Sequence, residues 1–94
     1  MREDFKTVYA DFEKKYGIRS QMQQCIEEMS ELIKELCKYD RHLGTDKEQE
    51  TINSIKEELA DVLNMVEQLE YCFGEKEIED IRSKKIERSK KLYL

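Results

Sequence analysis

Proline is absent from this chain, and glycine occurs only at positions 17, 44 and 74. Both residues weaken or break helices, so a chain nearly free of them, with 41% of its residues charged, favours long amphipathic helices over strands. No run of about 18 apolar residues exists, and no apolar stretch follows the charged start Met1-Arg2-Glu3-Asp4-Phe5. Neither a membrane span nor a signal peptide is therefore expected, and the cytoplasm is the expected location. Cys25, Cys37 and Cys72 are odd in number, lack C-x-x-C spacing and fall within expected helices, so they read as buried, reduced thiols without chemistry. The only histidine, His42, lies at an expected helix end, where it suits a C-terminal cap. Without a Glu-x-x-His pair, a ferritin-type di-iron site is excluded.

The chain has 94 residues, enough for one domain but near the size at which a single core is marginal. Self-association, as a homodimer or a homotetramer, is the expected supplement. The formal net charge of −5 conceals a segregation: residues 1–81 carry 11 basic and 21 acidic side chains, while residues 82–94 carry six basic and one acidic. That is a net of −10 followed by a net of +5. The cations of the tail, Arg82, Lys84, Lys85, Arg88, Lys90 and Lys91, either bind phosphate or complement the negative end of a helix dipole, and composition leaves both readings open. A nucleic-acid partner is not expected, because Tyr93 is the tail's only aromatic residue and the remaining surface repels phosphate. No membrane partner is expected either.

The three glycines punctuate four helical segments, which makes the class all-α. Phe5, Val8, Tyr9, Phe12 and Tyr16 recur at spacings of three and four, predicting a first helix over about residues 2–15. A second runs from Ile18 or Ser20 to about Arg41, with Ser20 and Gln23 fitting a capping box and Met22, Cys25, Ile26, Met29, Leu32, Ile33, Leu36 and Tyr39 forming its stripe. A third starts near Asp46, where Thr45 and Glu48 fit another box, and extends to about Phe73 along Ile52, Ile55, Leu59, Val62, Leu63, Val66, Leu69 and Phe73. The fourth follows Gly74 with a weaker stripe interrupted by cations. The expected architecture is a four-helix, bundle-like protomer built on a central antiparallel pair of long helices.

Those two long helices carry nearly the same heptapeptide thirty positions apart: Glu27-Glu28-Met29-Ser30-Glu31-Leu32-Ile33 and Glu57-Glu58-Leu59-Ala60-Asp61-Val62-Leu63. Each copy sets two carboxylates three residues apart on one helix face, Glu28 with Glu31 and Glu58 with Asp61, on the shoulder of the apolar stripe. Like charges so placed weaken an isolated helix, and the first pair has no neighbouring base to offset it. Antiparallel packing brings all four toward one seam. Four carboxylates without histidine suit a hard divalent ion, Mg²⁺ or Mn²⁺. The competing reading is a solvated acidic band on a non-enzymatic helical oligomerisation or interaction module, which gives no reason for the repeat.

The two acid motifs, with Tyr16-Gly17-Ile18, Gln24-Cys25-Ile26 and the C-terminal Lys85-Ile86-Glu87-Arg88-Ser89, resemble the MazG-like all-α nucleotide pyrophosphohydrolases over most of the chain. The resemblance implies Mg²⁺-dependent cleavage of a nucleoside triphosphate between its α- and β-phosphates, releasing a monophosphate and pyrophosphate. By position, Glu28, Glu31, Glu58 and Asp61 become metal ligands, and Glu27 a candidate base. Lys85 and Arg88, with Lys84, become the phosphate contacts, and Gln21 and Gln24 candidate contacts to base or sugar. The chain departs from the family's pattern at Tyr16, where many relatives have tryptophan, at Ser89, where asparagine or threonine is common, and at Leu92, where an arginine is expected.

Overall fold

The computed structural model describes residues 3–94, so the expected helix start at residue 2 lies outside the described residues. A single 3-10 turn, Glu3–Phe5, leads into α1 (Lys6–Tyr16), followed by α2 (Ile18–His42), α3 (Glu48–Phe73) and α4 (Glu75–Tyr93). No strand occurs among the described residues. None of these helices is long and apolar enough to cross a membrane. Gly17 and Gly74 each serve as a one-residue joint between two helices. Their φ angles of 82° and 117° are left-handed values that a side chain resists, and their amides still close the preceding helices on Glu13 O (2.8 Å) and Glu70 O (3.0 Å). With no room for a loop, the chain changes direction on glycine.

The predicted capping boxes are displaced. The second helix begins at Ile18, directly after Gly17, so Ser20 lies inside it. At the next turn Thr45 Oγ1 donates to His42 O (2.6 Å) and accepts from the Lys47 amide (3.2 Å), while Glu48 Oε1 accepts from the Gly44 amide (3.3 Å). That network orders the loop and delays α3 to Glu48. His42 is not a simple cap. Its Nδ1 lies 2.6 Å from Thr51 Oγ1, whose own hydroxyl donates to Lys47 O (3.1 Å), so the imidazole pins the end of α2 to the start of α3.

The long pair is antiparallel: His42 meets Thr51 near the loop, Glu28 meets Glu58 and Asp61 midway, and Gln21 meets Gln68 at the far end. α1 packs across both long helices, whereas α4 packs on α3 and is joined to α1 by the Lys6–Glu75 ion pair. The pair is rotated away from its apolar centre. Gln21, Cys25, Thr51 and Gln68 are buried, but Met22, Ile26, Met29, Ile33 and Leu36 of α2 are 39–61% exposed, as are Leu59, Leu63 and Val66 of α3 at 42–64%. The stripe of α2 spans more than 100° of its circumference, too wide for one neighbour, and α3 takes the shoulder that carries Gln21 and Glu28. The radius of gyration, 16.3 Å, exceeds the about 12 Å of a compact chain this long.

The Gln68 Nε2–Gln21 Oε1 hydrogen bond (2.8 Å) therefore does part of the work of a core. Gln68→Ala should cost about 1–3 kcal/mol in urea denaturation, because Gln21 is left buried without its donor. The double variant Gln21→Leu/Gln68→Leu should recover most of that loss, since both polar groups are then gone. A single variant as stable as the wild type would mean that water replaces the bond at no cost.

The cysteines only partly follow the sequence reading. Cys25 is buried and Cys72 half-buried, but Cys37 is exposed, because it lies on the outer side of α2. Burial and the nearby Glu13 push the Cys72 thiol up to about 11, and burial followed by Glu28 raises that of Cys25. Both stay protonated near neutral pH and are poor nucleophiles.

Candidate metal centre

Midway along the antiparallel pair, carboxylate oxygens of Glu28, Glu58 and Asp61 all lie within 4.8 Å of one another. Each helix contributes because the acids occupy the edge of the face that the two share. Glu28 is half-buried and oriented by its own helix, with Gln24 Nε2 donating to Glu28 Oε1 at 2.9 Å, one turn earlier. Glu58 is half-buried, and its Oε2 is covered yet has no hydrogen-bond partner among the described residues. Asp61 is exposed and forms the open side.

Glu31 does not join the three. It lies about 60° further round α2 than Glu28, so the turn of the helix that brings Glu28 into the seam leaves Glu31 in solvent. Its charge still reaches the site. Burial raises the Glu58 carboxyl above its ordinary value, and the charges of Asp61, Glu31, Glu28 and Glu35 raise it further, in that order. Glu35, not singled out as a site residue by sequence, is thus part of the field; its position four residues after Glu31, on the same side of α2, is the signal that identifies it. Glu27 is fully on the solvent side, beyond Glu31.

The remaining candidates separate. Gln21 is buried and its carboxamide oxygen accepts from Gln68, which commits that atom to the α2–α3 contact and away from a nucleotide. Gln24 orients a carboxylate. Lys84, Lys85 and Arg88 stand on the exposed half of α4, with no ion pair or hydrogen bond among the described residues, and do not meet the acids of their own chain. The arrangement is an acidic, partly dry notch with one unsatisfied oxygen, open to solvent at Asp61. Such a notch suits a small divalent cation that keeps some of its water.

The raised carboxyl sets a pH dependence. The folded protein holds the Glu58 proton more tightly than the unfolded chain does, so metal-free stability should fall as pH rises from the ordinary 4.5 through the raised value, and the penalty is complete above it. Glu58→Gln should therefore raise the melting temperature at neutral pH in EDTA and change it little at pH 4. Equal shifts at both pH values would show that the charge on Glu58 is immaterial.

Comparison with models of known protein families, with curated proteins and with solved structures finds no match for this chain.

Proposed function

We propose that the protein is a cytoplasmic, Mg²⁺-dependent nucleoside triphosphate pyrophosphohydrolase. The observation that supports this reading most is the convergence of Glu28, Glu58 and Asp61 from two helices around an oxygen, Glu58 Oε2, that is buried and unpartnered. An orphaned carboxylate oxygen among like charges is costly, and a divalent cation satisfies it. Bound Mg²⁺, or Mn²⁺ in its place, supplies charge neutralisation and polarisation of a phosphoryl oxygen. Glu28, Glu58 and Asp61 would hold it, Gln24 would keep Glu28 in position, and Glu31 offers a fourth carboxylate or a proton acceptor for the attacking water. Lys84, Lys85 and Arg88 are the cations suited to the leaving pyrophosphate. Glu27 has no contact that favours it as a base.

The exposed faces of α2 and α3 support a further element of the reading. Monomers rarely expose so continuous an apolar surface, and two hairpins joined through these faces form a four-helix bundle with a dry core. We take the working form to be a homodimer or a dimer of dimers. The same faces also favour a plain helical interaction module, which needs no metal.

Two measurements separate these readings. A panel of canonical and modified (d)NTPs with Mg²⁺, scored for pyrophosphate against orthophosphate, should yield pyrophosphate and the monophosphate. In a melting experiment Mg²⁺ at about 100 times its dissociation constant should stabilise the protein by about 2.7 kcal/mol. A melting temperature that ignores millimolar Mg²⁺, with no pyrophosphate from any nucleotide, would leave the interaction module.

A further inference from the structure

We infer that the carboxyl pair Glu70 and Glu79 is a proton-operated latch that holds α4 against α3, with Gly74 as its hinge. The latch does not depend on the pyrophosphohydrolase reading. α4 has little else to hold it. Beyond the one-residue joint at Gly74, with its φ of 117°, only Glu75, Ile78 and Glu79 of this helix are half-buried, and from Asp80 to Leu94 every residue is exposed. Ile78 is the only apolar side chain of α4 that is not exposed. The ion pair from Lys6 Nζ to Glu75 Oε2, 3.1 Å, has both partners about one-third exposed, and pairs in contact with water contribute little. The remaining contact sets acid against acid: the carboxyl of Glu70, a residue only 9% exposed, hydrogen-bonds that of Glu79 across the two helices.

Two carboxyls hydrogen-bond each other only while one of them carries a proton. Glu70 is the one that does. Burial, and then the bond to Glu79, raise its carboxyl; the same bond, followed by Arg82, lowers that of Glu79, whose Oε1 accepts from Arg82 Nη1 at 2.7 Å. Glu70 Oε1 is covered and has no partner among the described residues, so an ionised Glu70 is a buried charge with no donor to receive it. The surrounding groups do not supply one. In the groove beside the pair, α3 contributes Glu67, which accepts from the Tyr9 hydroxyl of α1, and α2 contributes Cys25, whose thiol stays protonated. On α4, Glu75 is bridged to Lys6 and Arg82 to Glu79, and the amino-terminal charge and Arg82 only partly offset the rise at Glu70. As pH rises through the raised value of Glu70, the shared proton leaves and two carboxylates face each other on the α3–α4 contact. α4 then swings about Gly74 and withdraws Ile78, Glu79 and Arg82 from the wall of a groove of about 890 Å³, opening it along that side.

Energy transfer along one chain tests the latch. Cys37 is the exposed cysteine and takes a maleimide donor at neutral pH, while the raised thiols of Cys25 and Cys72 react slowly. p-Acetylphenylalanine in place of the exposed Tyr93 takes an oxime-linked acceptor near the end of α4. Doubly labelled chains, diluted into an excess of unlabelled ones so that transfer between copies is negligible, are measured singly from about pH 4 to about pH 9. The wild type should pass from one narrow transfer peak to a broadened distribution of different mean, along a one-proton curve whose midpoint lies above the ordinary 4.5, with helix content by circular dichroism unchanged. Glu70→Gln and Glu79→Gln each put a permanent carboxamide donor in place of the shared proton, so both should keep the narrow peak at every pH. A wild-type peak that never moves, or the same transition in either variant, would overturn the latch. Loss of helix along the same curve would overturn it too, because the whole fold and not α4 alone would then be titrating.

Discussion

Asp61→Asn is expected to reduce turnover by more than about 10²-fold while leaving the metal-free protein folded and slightly more stable than the wild type. Loss of a residue that merely supports a metal ligand costs 10–100-fold, so loss of a ligand exceeds that range. The stability change has the opposite sign because Asp61 is the largest of the charges that crowd Glu58, and asparagine keeps its shape without its charge. Turnover assays with saturating Mg²⁺ and thermal melts in EDTA measure the two halves separately. The pairing of lost activity with retained or increased stability is the signature of a site under electrostatic strain. A variant that unfolds would instead make Asp61 a structural residue, which its exposed position does not suggest.

Arg88→Ala is expected to lower turnover on the order of 10²-fold, the scale of removing one preorganised electrostatic donor. Negative charge accumulates on the departing pyrophosphate as the α–β bond breaks, so a guanidinium aimed there binds the transition state more tightly than the bound substrate, and the loss falls on kcat more than on KM. Lys85→Ala should act in the same direction. Lys90→Ala and Lys91→Ala should change little, being placed in the last turn, where they complement the carboxyl end of α4. Steady-state kinetics of the four variants distinguishes a phosphate clamp from a dipole complement: four equal, small effects would indicate the latter.

Helix class and punctuation were legible because they depend on local chemistry. Gly17 and Gly74 stand at the joints where their positive φ is needed, and the absence of proline lets α2 and α3 run 25 and 26 residues unbroken. Helix starts were less legible, since α2 opens directly on Gly17 and the Thr45 hydroxyl is spent on His42 and Lys47 rather than on a cap. The acid repeat lies along the edge the two long helices share, yet only three of its four carboxylates come within 4.8 Å of one another. Glutamine illustrates the limit well: Gln21 and Gln24 are near neighbours on one helix, but one is buried against Gln68 and the other faces Glu28.

What the sequence determined by itself was the set of helices, the shoulder position of the acids beside each stripe, and the division of charge between the body and the tail, because spacing along a helix converts directly into direction around it. The tertiary structure decided which edge of each stripe its neighbour covers. That rotation buries Gln21, Thr51 and Gln68, leaves Ile26, Ile33 and Leu63 exposed, and gathers Glu28 with Glu58 and Asp61 while excluding Glu31; the start of α4 is tied to α1 by the Lys6–Glu75 ion pair. No periodicity specifies it, because a stripe wider than one helix–helix contact can be satisfied at either edge, and the choice belongs to contacts between residues far apart in the chain.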